Sequence, residues 1–168
     1  MINYTMAILQ ILKAPDEFLF KVSKPVTEFD DSLWQLLDDM GQTLDKSKGL
    51  GIAGVQIGRL LRVCIVLTKE GKVELINPVI LASDKLKSGE EGCLSVPKIQ
   101  SRIKRFHDIK VRAQDRHGKT FEKDFSGLSA VCVQHEIDHL DGKLYVDLVE
   151  DGLRDVSEKE EQENTIDA

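Results

Sequence analysis

The amino-acid sequence predicts an α+β fold in which short antiparallel strands and hairpins wrap around one central helix. Three observations carry this reading. Two pairs of Val/Ile-rich stretches are separated by tight-turn residues, and one later segment is apolar almost all round at helical spacing. The chain is 168 residues long, 41% apolar and 31% charged, which suits one ordinary domain with a real core.

After an irregular start through Pro15 and Pro25, Asp30 or Asp31 is placed to cap a helix. Its apolar positions Leu33, Leu36, Leu37, Met40 and Leu44 follow a 3.6-residue period and stop before Gly49. Residues 62–67 and 73–81 flank Lys69-Glu70-Gly71-Lys72 and read as a β-hairpin. Residues 107–115 and 120–125 form a second one: Ile109, Val111 and Ala113 alternate with polar residues, and Asp115-Arg116-His117-Gly118 makes the turn. Residues 127–142 are the central helix, and residues 143–149 are expected to add a last strand.

Composition excludes several classes of function. No run approaches the roughly 18 apolar residues of a membrane span, and the start lacks a secretory pattern. Cys64, Cys93 and Cys132 are too few for a disulfide scaffold. The net charge of −6 resides entirely in residues 150–168, which read as an acidic tail or helix; the rest is balanced, without the basic excess of a nucleic-acid binder.

The central helix carries His135-Glu136-Ile137-Asp138-His139. Histidines four residues apart lie about 40° apart around a helix, so both can reach one metal ion, with the intervening Glu at the edge of the same cleft. A metal that acidifies water and a carboxylate that collects the proton are the parts a hydrolase needs. Such a site wants a third ligand. Cys93 is the candidate, in a bend marked by Gly92 and Pro97, while Cys64 reads as core. Cys132 either lines the substrate pocket or closes a four-ligand site. Gly49-Leu50-Gly51-Ile52-Ala53-Gly54-Val55-Gln56 lets backbone approach closely and offers the Gln56 amide to a developing oxyanion.

In this order the three segments resemble the peptide deformylases, a family marked by G-x-G-x-A-A-x-Q, E-G-C-L-S and Q-H-E-x-D-H. They stand here at residues 49–56, 91–95 and 134–139, and the similarity extends over nearly the whole chain. The resemblance implies removal of the formyl group from N-terminal formyl-methionine of nascent peptides, with release of formate. It implies that Cys93, His135 and His139 bind one divalent metal, usually Fe(II), replaceable by Zn(II), Ni(II) or Co(II). Glu136 would be the general acid/base for a metal-bound water, and Gln56 with the Leu94 backbone N–H the oxyanion site. Leu128, Val131, Cys132 and Leu50 would wall the methionine pocket. The backbones of Leu50, Gly51 and Gly92 would pair with the extended peptide. Residues 1–150 would be the catalytic domain, in a bacterial-type cytoplasm or an organelle, with transient ribosome contact at most and no membrane or sequence-specific nucleic acid as partner.

Departures from the family pattern are Gly54 in place of the second motif Ala, and Phe18 and Phe20 where relatives often carry Arg. Two rival readings differ in their ligands. A zinc endopeptidase would use a downstream carboxylate such as Glu158, and a closed structural zinc site would use Cys93, Cys132, His135 and His139.

Overall fold

A computed structural model describes Thr5, residues 7–149 and residues 154–155. Helix α1 spans Asp31–Ser47, and the Asp30 carboxylate caps it by accepting from Leu33 N at 3.1 Å. Strands β1 (Gly51–Ala53), β2 (Val63–Thr68), β3 (Gly71–Cys93), β4 (Val96–Gln114) and β5 (Thr120–Ser126) follow, then helix α2 (Leu128–Leu140) and β6 (Arg154–Asp155). All pair antiparallel in one sheet of order β1-β2-β3-β4-β5, with β6 on β4.

The period-2 alternation of the strands divides the apolar residues between two faces. Val63, Ile65 and Ile76 meet Leu33, Leu37, Met40 and Leu44 of α1. Cys64, Val66, Leu75, Ile109, Val111, Ala113 and Phe125 meet Ala130, Val133 and Leu140 of α2. Each fully buried aliphatic side chain contributes about 1.5–3 kcal/mol, so α2 is pressed firmly onto the sheet. The Gln134 amide fastens it further. Its nitrogen donates to Phe106 O at 2.7 Å and its oxygen accepts from Phe106 N at 3.0 Å, so one side chain mimics a strand partner. Arg62 closes the other end, reaching Leu140 O and Asp141.

Three expectations need correction. The two expected hairpins are real, but their inner strands are the ends of a far longer hairpin, β3 with β4, of 23 and 19 residues. Residues 82–90, beyond the expected strand, are exposed and mostly polar or charged, so no buried stripe announces them as strand. Residues 143–149 form a one-turn 3-10 helix, Tyr145–Leu148, rather than a strand. Asp147 turns the chain there by accepting from Leu144 N at 3.2 Å, and its own N donates back to Leu144 O at 3.0 Å, which closes a turn where a strand would have stayed extended. Within the acidic segment Arg154 and Asp155 are strand; the expected tail or helix over the rest lies outside the described residues. No helix among the described residues is long and apolar enough to cross a membrane.

Candidate active site and metal centre

Helix α2 brings His135 and His139 one turn apart, with ring centroids 4.9 Å from each other. Cys93 ends β3, where Leu94 and Ser95 turn the chain into Val96 of β4. Its Sγ lies 3.2 Å from His139 Nε2, and ligand atoms of Cys93, His135 and His139 all fall within 4.8 Å of one another. Among the described residues Cys132 does not join this group, and Glu158 lies outside them. The donor chemistry fits a divalent transition metal: one thiolate, two imidazoles and room for a fourth partner.

The surroundings support that fit. His135 Nδ1 donates to Glu91 Oε1 at 2.8 Å, which leaves Nε2 for a metal. Burial, helped by the positive charges of His135 and Arg105, holds His139 neutral, the form that ligates. Burial also disfavours charge on His135, but Cys93, Glu91 and Glu136 outweigh it and lift the imidazole to about 10. Glu136 is buried, and burial pushes its carboxyl up to about 7. Its Oε2 has no hydrogen-bond partner among the described residues, which leaves it open to one from a ligand.

The centre opens into a cavity of about 920 Å³. Leu50, Gly51, Gln56, Gly92, Cys93, Leu94, Leu128, Val131, Cys132, His135 and Glu136 all line it, and His139 lies behind them, 1% exposed. Burial pushes the Cys132 thiol up to about 12, so it offers the cavity a neutral, apolar surface. Gln56 is oriented from both ends: Oε1 accepts from Ala53 N at 2.9 Å, and Nε2 points to Ser95 Oγ at 3.1 Å and Cys93 Sγ at 3.7 Å. Gly51 passes so close to Glu136 that an added Cβ would lie 2.5 Å from its Oε1.

Sequence reasoning left Glu91, Arg105 and Ser95 without roles. Arg105 clamps Glu91 with Nε at 2.9 Å and Nη2 at 3.2 Å, and its Nη1 reaches Asp138. Burial alone would raise Glu91, but the bonds from His135 and Arg105 hold its carboxyl below the usual value. A signal existed for both residues. Glu91 is two residues from Cys93 and so shares its strand face, and Arg105 continues the inward series Ser101, Ile103.

A Cys-His-His group able to hold a metal ion, opening on a cleft with a buried carboxylate beside it, is a donor set of the kind a metal-dependent hydrolase uses. The family model described as polypeptide deformylase matches residues 8–154. The peptide deformylase of Heliobacterium modesticaldum is 47% identical over 145 residues, covering 86% of this chain and 96% of that protein. The crystal structure of a peptide deformylase from Legionella pneumophila superposes with a TM-score of 0.83 at 44% identity, over 86% of this chain and 88% of that one. One from Synechococcus elongatus in complex with actinonin gives 0.82 at 34% identity, over 85% and 79%. The chain belongs to the peptide deformylase family, metal-dependent hydrolases that remove the formyl group from formyl-methionyl peptides.

Proposed function

We propose that Cys93, His135 and His139 hold the divalent metal and that Glu136, Gln56 and the Leu94 backbone N–H perform the deformylation around it. The observation that carries this assignment is the gathering of the three donor atoms within 4.8 Å, next to the buried Glu136. The metal, Fe(II) in this reading with Zn(II), Ni(II) or Co(II) as substitutes, supplies Lewis acidity toward water and the formyl carbonyl. Glu136 takes a proton from the water that attacks the formyl carbon and returns it to the departing amine. Gln56 Nε2 and the Leu94 N–H donate to the oxygen that gains negative charge. Each such donor is worth about 3–4 kcal/mol by analogy with other oxyanion holes.

The methionine side chain lies against Leu128, Val131 and Cys132 and is flanked by Leu50. The peptide backbone runs extended beside Leu50, Gly51 and Gly92, an arrangement that reads main chain rather than sequence. The catalytic unit is residues 1–150. The substrate is a formylated nascent chain in a bacterial-type cytoplasm, met during transient contact with the ribosome at most.

The test is formate release from a formyl-methionyl peptide by anaerobically prepared protein loaded with Fe(II) or Ni(II). Glu136→Ala is expected to retain the metal and to release formate about 10²–10⁴-fold more slowly. Full activity in that variant would remove Glu136 from the mechanism.

A further inference from the structure

We infer that Tyr145 is a positioning residue for the metal centre, bracing His135 with its ring and fixing the Cys93 turn through its hydroxyl. The inference rests on the assignment of Cys93, His135 and His139 as ligands.

Tyr145 follows α2 by five residues and is 1% exposed. Its ring centroid lies 5.8 Å from that of His135, with the planes 31° apart. Glu91 holds the His135 ring through Nδ1, and Tyr145 lies against it as a tilted aromatic neighbour, so the imidazole has little freedom to swing.

The hydroxyl acts on the other ligand. Cys93 pairs with Val96, but Gly92 pairs with Gln100, so the β3–β4 ladder breaks beside the thiolate and leaves Pro97, Lys98 and Ile99 outside it. Lys98 takes a left-handed conformation there, φ 63°. A turn at a ladder break is not held by strand pairing and needs other anchors. Tyr145 supplies one: its hydroxyl donates to Ile99 O at 2.7 Å. The main chain of β6 pairs with the same Ile99 and with Gln100. A residue that merely filled the core would need the ring alone. The hydroxyl joins the segment after α2 to the loop after Cys93, so one side chain relates the positions of two ligands. Ligand geometry must be kept to about 0.5 Å for full effect.

The test compares wild type, Tyr145→Phe and Tyr145→Leu, each loaded with Co(II) without oxygen. Three quantities are measured: the thiolate-to-Co(II) absorption band, the rate of Co(II) loss to a chelator, and kcat and KM for a formyl-methionyl peptide. Tyr145→Phe, which removes one oxygen, is expected to shift the band, release Co(II) about tenfold faster and lower kcat at unchanged KM. Tyr145→Leu is expected to exceed it in all three. A Phe variant with the wild-type band and release rate overturns the inference, even if its melting temperature has fallen, because the role is then structural. A wild type that binds Co(II) without any thiolate band overturns the ligand assignment itself, and the inference with it.

Discussion

Helix α2 and the β3–β4 hairpin deliver the proposed ligands to the same centre, yet they are built on opposite rules. Ala130, Val133 and Leu140 of α2 belong to the core, and the proposed ligands His135 and His139 and the proposed acid/base Glu136 stand on the same buried helix. The hairpin is buried where it starts, at Leu75 and Ile76, and again where Glu91 and Ser95 flank Cys93, while residues 79–90 between them are exposed. A ligand therefore does not need a buried element behind it. It needs buried contacts within a few residues, and the hairpin concentrates them at its tip: Glu91 on Arg105 and His135, Ser95 on Gln56, and Ser95 O accepting from Ala14 N at 2.8 Å.

The strongest test of this contrast is Arg105→Ala. Arg105 and Glu91 expose only 8% and 7% of their side chains, so removing the guanidinium leaves a buried carboxylate facing His135 without its main counter-charge. Breaking a buried pair on one side costs about 3–5 kcal/mol, which urea unfolding will read directly. The same change is expected to weaken metal retention. Loss of less than 1 kcal/mol would mean that the tip is held by something other than this pair.

Gly51→Ala is the next largest and acts on rate rather than on stability. The new Cβ would stand 2.5 Å from Glu136 Oε1 and 3.0 Å from its Cδ, so the carboxylate has to move. Displacing a catalytic group by about 1 Å costs on the order of 10²-fold, and kcat for formate release is expected to fall by about that factor with the metal retained. Gly54 is tight in a different way. A Cβ there would meet the carbonyl oxygens of Arg59 and Leu61, each at 3.0 Å, so the neighbouring backbone would have to give by a few tenths of an ångström to admit one.

The same contrast explains what could be read from sequence. The HExxH helix announced itself because a buried helix shows both its apolar period and its anomalous polar residues, and the Cys93 bend because Gly and Pro are strong punctuation. Helix α1 was equally plain from Leu33 to Leu44. The outer stretch of β3, residues 82–90, was not legible, since a strand that buries neither face carries no alternation. Tyr145 was assigned to a strand because a 3-10 turn capped by Asp147 looks, in composition, like any short apolar run. Arg105 was hidden for a different reason. Its partners lie 14 and 33 residues away, and only the register of β4 against β3 and α2 brings them together.

Asp108 sharpens the comparison from the other side, and its expected effect is the smallest. It lies in β4 at the root of the exposed arm, 2.7 Å from Lys85 Nζ and 2.8 Å from His107 Nδ1. Its bond to Lys85, then those to Ser126 and His107, hold its carboxyl well below the usual carboxylate range. A carboxyl depressed in the folded state stabilises the fold above its unfolded value of about 3.9, and this contribution fades as pH falls below that value toward the folded one. Asp108→Asn cannot titrate. The melting temperature of the wild type is therefore expected to exceed that of the variant slightly above about pH 5, with the gap closing below about pH 4. The gap should also shrink with added salt, since Lys85 is mostly exposed. Formate release is expected to match the wild type wherever both are folded. A slower variant would show that the exposed span is mechanically joined to the Cys93 turn, and the separation between a rigid tip and an indifferent arm would no longer hold.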